Sequence, residues 1–60
     1  MRYEIIEKNA KLENEQMVDC SWGIFNTKED AYKFAVNRIH QIKLVCGSNI
    51  YIPYEIIERR

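Results

Sequence analysis

Cys20, His40 and Cys46 are the side chains of this 60-residue sequence that could support thiolate or imidazole chemistry. A tetrahedral metal site would use them as ligands, and a cysteine nucleophile would take His40 as its base. The spacing supports neither. There is no CxxC and no closely spaced His pair, and Cys46 follows His40 by six residues, which on a helix separates them by about 240°. A Cys20–His40 pair would also need an orienting third group and a cleft, and so small a domain offers little concavity. We therefore expect no enzymatic activity, no metal and no cofactor.

Two cysteines are too few for a secreted disulfide framework, and no apolar signal segment follows Met1. The expectation is a reducing, cytoplasmic setting with both cysteines acting as small core hydrophobes. No apolar run approaches the ~20 residues of a membrane span. Nine basic and nine acidic residues cancel, so no global field draws in nucleic acid. Lys28, Lys33, Arg38 and Lys43 recur every five positions, a step of about 140° that spirals them around a helix instead of building a stripe. No Gly-rich phosphate-cradling loop is present.

His40 and Cys46 belong to the one long regular segment, Asn26 to Gly47. Asn26 and Thr27 are both N-cap types, and Thr27-x-x-Asp30 is a capping-box variant that sets Glu29 and Asp30 against the positive helix end. Lys43 lies in the last turns and Gly47 can take the left-handed conformation that closes a helix, so the spacing predicts a helix from Lys28 to about Cys46. At 100° per residue, Ala31, Phe34, Ala35, Ile39, Ile42, Val45 and Cys46 form a core-facing stripe. Tyr32 and Val36 widen it to roughly 200°, about twice what such a stripe needs. Either these two lie half exposed beside the sheet, or this flank meets a second chain. Tyr32, Val36, His40 and Leu44 follow one another at i+4 spacing as a ridge, with His40 opposite the apolar stripe, and are the candidate partner-binding residues.

The remaining chain supplies the sheet. Residues 2 to 8, RYEIIEK, read as a strand with Tyr3 and Ile5 on one face and Glu4, Ile6 and Lys8 on the other; apolar groups on both faces place it centrally. Asn9 to Gln16 is polar apart from Leu12 and reads as an acidic solvated loop, longer than a two-residue hairpin turn. Met17 to Phe25 alternates, with Val18, Cys20, Trp22 and Ile24 expected under the helix and Trp22 as the large core anchor. Gly23 beside Trp22 suggests a bulge. Ile50 to Glu58 reads as a third strand, and Pro53, lacking an N–H, puts it at an edge or a bulge.

The expected architecture is one α+β domain over residues 1–60: a three-stranded antiparallel sheet in the order 2-1-3 with one long helix on one face, ββαβ. A chain this short buries only about 60 % of the surface its unfolded form exposes, so it needs a supplement, and a homodimer is the one left open. An internal echo sets Tyr3-Glu4-Ile5-Ile6-Glu7-Lys8 against Tyr54-Glu55-Ile56-Ile57-Glu58-Arg59. It reads either as two neighbouring strands meeting similar demands or as strands at a symmetric contact.

Tyr3, then Gly23-Ile24-Phe25 leading into a capped helix and a further strand, resembles the small N-terminal hybrid-binding domain of type I ribonucleases H. That resemblance implies Tyr3, Trp22 and Phe25 as contacts to an RNA/DNA duplex. The longer acidic connection, the longer helix and the dispersed basic residues depart from the family pattern. The principal expectation is therefore a small non-catalytic module that binds another protein, in one form a phage or mobile-element product that inhibits or redirects a host protein. Duplex nucleic-acid binding is the alternative.

Overall fold

The computed structural model describes Met1 to Arg60. Strands β1 (Arg2–Glu13), β2 (Gln16–Phe25) and β3 (Tyr54–Arg59) form one antiparallel sheet in the order β2-β1-β3, and helix α1 (Lys28–Cys46) packs on one face. The class, strand order and helix bounds match the expectation. The result is a thin two-layer plate with principal extents of 32 × 29 × 12 Å.

The first correction concerns Asn9 to Gln16, expected as a loop. β1 continues through it to Glu13, and a two-residue turn at Asn14 and Glu15 (φ 50° and 64°) returns the chain directly into β2. Two successive positive φ angles are the signature of a primed hairpin turn, and asparagine is among the residues that accept one. The ladder is interrupted between Glu7 and Lys11, where Lys8, Asn9 and Ala10 stand opposite Asp19 alone. Asp19 takes up one freed backbone donor: its carboxylate accepts the Asn9 N–H, and also the Lys8 side-chain Nζ, each at 3.0 Å. Asn9 meets the bulge with φ 53°, a conformation asparagine tolerates.

A second bulge lies where Gly23 suggested it. Ile5 pairs with Gly23 and Ile6 with Ser21, leaving Trp22 extra. The inserted residue breaks the two-residue alternation, so Trp22 and Phe25 both pack on the core while Ile24 is 53 % exposed. That corrects the expected Val18-Cys20-Trp22-Ile24 face.

β3 begins at Tyr54, later than the expected Ile50, because Pro53 has no ladder donor; its carbonyl instead accepts the Lys8 N–H at 3.0 Å. β3 is an edge strand, one of the two outcomes expected from the proline. The echoed hexapeptides are neighbours in β1 and β3, paired so that Ile5 faces its own counterpart Ile56. An approximate two-fold thus runs through the sheet within one chain, and both strands turn a tyrosine and an isoleucine towards the helix.

The Thr27 hydroxyl accepts the Asp30 N–H at 3.1 Å, which caps α1 as predicted. At the other end the Gly47 N–H donates to the Lys43 carbonyl at 2.9 Å, with φ 114° and ψ 148°; this is a glycine-accessible extended conformation and not the left-handed cap expected. Ile5, Ala31 and Ala35 are fully buried, with Tyr3, Trp22, Phe25, Tyr54 and Ile56 packed around them. The alanines carry no side chain beyond Cβ, so the helix lies close on Ile5. Phe34 meets Phe25 at a ring separation of 5.1 Å.

The apolar stripe is buried only along its first half. Ile39 and Ile42 are half-buried, whereas Val45 is 86 % exposed and Cys46 is exposed as well. The two fully buried residues of the 19-residue helix, Ala31 and Ala35, both lie in its first half, and its last turns have little of the sheet opposite them. Cys20 is exposed too, so neither cysteine is a core residue.

Candidate functional site

The outer side of α1 carries the residues expected to bind a partner. Tyr32 is 56 %, Val36 46 % and Leu44 73 % exposed, and His40 is exposed beside them. Helix periodicity forces this: with Ala31 and Ala35 facing the sheet, positions 32, 36 and 40 step from the flank of the helix round to its outer side. Tyr32, Lys33, Val36, Asn37 and His40 line a shallow hollow of about 420 Å³. Three of the four predicted residues therefore share one concavity, and Leu44 stands one turn beyond it. Sequence reasoning missed Lys33 and Asn37, which border the hollow; their polar types gave no signal beyond that of any solvated helix face. Lys33 is held by Glu29 at 3.3 Å in an exposed i,i+4 pair.

An exposed aromatic ring and a branched aliphatic side chain, edged by amide, imidazole and ammonium groups, make a small apolar strip with a polar rim. Nowhere in the chain do three His, Cys, Asp or Glu side chains converge as a metal cage would require. A second shallow hollow, about 330 Å³, lies along the overhanging helix end between Arg38, Gln41, Ile42, Val45 and Cys46.

Tyr3, Trp22 and Phe25, the duplex-contact candidates implied by the resemblance, do come together, but between sheet and helix. All three pack on Ile5, Ala31 and Ala35. Trp22 is further occupied: its ring stacks on Tyr54 at 6.1 Å, the Arg38 guanidinium lies 5.1 Å above it, and its Nε1–H donates to Glu7 Oε1 at 3.0 Å. The tryptophan is thus a core anchor.

The sheet face turned away from the helix holds two charge clusters. Glu4 accepts the Ser21 hydroxyl at 2.7 Å and both Nε and Nη2 of Arg59 at 3.0 and 2.8 Å. These bonds hold its carboxyl below the usual carboxylate value, the Ser21 bond contributing most. Asp19 is lowered first by the Asn9 N–H and then by Lys8; Lys8 is raised, chiefly by its hydrogen bond to Asp19.

A pH dependence follows. Groups depressed in the folded state stabilise it above their unfolded values, here 4.5 for Glu4 and 3.8 for Asp19, and lose that contribution as pH falls through the lower folded values. Lys8, raised, stabilises below 10.5 and loses its contribution as pH rises through the folded value. Thermal melts should show Tm falling on the acid side below about 4.5, and Glu4→Gln together with Asp19→Asn should flatten that limb. An unchanged acid limb in the double variant would mean that these clusters do not favour the folded state.

No helix is long and apolar enough to cross a membrane. Compared with protein-family models, curated proteins and solved structures, the chain matches none.

Proposed function

We propose that the chain is a small protein-binding module that works by docking and not by catalysis, with the outer face of α1 as its recognition surface. The observation that supports this reading most directly is the exposure of Tyr32 and Val36 around a hollow on the helix side facing away from the sheet. Exposed aromatic and aliphatic groups gathered in one concavity have the composition that interface anchors favour. A module of this kind acts by occupancy, blocking or redirecting what it binds.

The duplex-binding alternative has less behind it. Its three aromatic candidates are engaged in the core, and the opposite sheet face carries the carboxylates of Glu4, Asp19 and Glu55 among its cations. Carboxylates on that face oppose a phosphate backbone.

The test is the double substitution Tyr32→Ala/Leu44→Ala, which touches no buried residue. With the far-ultraviolet circular dichroism unchanged, the variant should lose self-association and the retention of any protein that the wild-type chain captures when immobilised. A folded double variant that retains both would overturn the proposal.

A further inference from the structure

Resting on that reading of the outer helix face, we propose that its occupant is a second copy of this chain, docked helix against antiparallel helix about a two-fold axis at Val36.

Two observations point to this. The first is area. The chain exposes 4841 Å², against about 4,100 Å² for a typical monomer of 7.2 kDa. The surplus of roughly 700 Å² is of the order of the ~800 Å² that each partner contributes to an interface of standard size, but it belongs to the whole plate-shaped molecule, so the choice of face rests on the second observation.

The second is self-complementarity. Glu29, Val36 and Lys43 are seven residues apart, the repeat that keeps a seam facing a partner helix. Tyr32 and His40 flank Val36 at four residues on either side, one to each side of the seam. All five are exposed or half-exposed. A two-fold at Val36 reverses the partner helix, so Val36 meets the partner's Val36 and Tyr32 meets the partner's His40 across the seam. Glu29 then meets the partner's Lys43, and Lys43 the partner's Glu29. An isologous contact of this type doubles every favourable pair off the axis, and the ends of the seam carry opposite charges as antiparallel pairing requires. A parallel pairing would set Glu29 against Glu29 and Lys43 against Lys43. Glu29 already bridges to Lys33 through an exposed 3.3 Å pair, so its carboxylate lies on this face and can turn to the partner with little desolvation.

Sedimentation equilibrium on the purified chain should give twice the 7.2 kDa protomer mass at tens of micromolar, with dissociation on dilution. Glu29→Lys and Lys43→Glu should each weaken self-association about tenfold, from two lost and repulsive charge pairs per dimer. The double reversal Glu29→Lys/Lys43→Glu should restore it, and so should an equimolar mixture of the two single variants. Orientation is read by cross-linking in a Cys20→Ser/Cys46→Ser background: Tyr32→Cys protomers mixed with His40→Cys protomers should form disulfide dimers that neither variant forms alone. A monomer at all concentrations up to the millimolar range overturns the inference. If that monomer still captures another protein through Tyr32 and Leu44, the docking reading survives and only its occupant is wrong. A dimer indifferent to the charge reversals and lacking the 32–40 cross-link overturns both the pairing and the choice of face.

Discussion

Ile5→Ala is expected to unfold a large fraction of the chain at 25 °C. Ile5 is the one large side chain wholly removed from solvent, and the rest of the fully buried core is the two alanines above it. Truncating a buried isoleucine typically costs about 2–5 kcal/mol in lost transfer energy and residual cavity. A 60-residue domain has roughly 3–9 kcal/mol in total. The surroundings cannot collapse to refill the space: Ala31 and Ala35 have nothing to extend into it, and Tyr3 and Tyr54 are held by strand pairing. Urea titration followed by circular dichroism, at fixed protein concentration because association adds stability, should show the folded baseline shortened or absent. Ile5→Val should lose only about 1 kcal/mol. A loss under 1 kcal/mol for the alanine variant would mean that stability does not centre on this helix–sheet contact. Ile56→Ala, the pseudo-symmetric mate, is half-buried and should cost less.

The second large effect is expected at Trp22. Trp22→Ala removes the stack on Tyr54, the platform under Arg38 and the bond to Glu7 together, for a loss of roughly 3 kcal/mol, the low end for aromatic truncation because the ring keeps part of its surface in solvent. Trp22→Phe separates the contributions. It preserves an aromatic face for Tyr54 and Arg38 and deletes the Nε1 donor, so it should cost about 1 kcal/mol. Equal losses in the two variants would show that the Glu7 bond outweighs packing, contrary to expectation. The Trp22→Ala result also bears on duplex binding. A duplex affinity abolished by Trp22→Ala would be interpretable only if the variant remains folded, since the same ring anchors the core.

Much of the fold was legible from residues alone because its signals are local. Thr27 and Asp30 set where the helix begins, and a glycine at position 47 marked its end within the chain's own turn geometry. Pro53 pointed to an edge or a bulge for the third strand, and the doubly apolar first strand to neighbours on both sides. The ridge of Tyr32, Val36 and His40 was visible in helical spacing, and the structure gathers those three around one hollow.

What could not be read there depends on pairs of segments distant in sequence. The strand from Asn9 to Glu13 alternates only through Ala10 and Leu12, too short and too polar a run to stand out from a solvated loop; pairing with β2, with Asp19 filling the bulge, makes it strand. Trp22 and Phe25 share a face because a residue inserted opposite Ile5 and Ile6 shifts the register, which no periodicity of β2 by itself reveals. The exposure of Cys20, Val45 and Cys46 depends on where along the sheet the helix lies, a relation that exists only once both are placed. By itself the sequence determined the element types, the helix ends and the α+β order, because caps, turns and prolines act over a few residues. Only the tertiary structure decided which apolar side chains are core and which remain on the surface, because burial is set by what lies opposite.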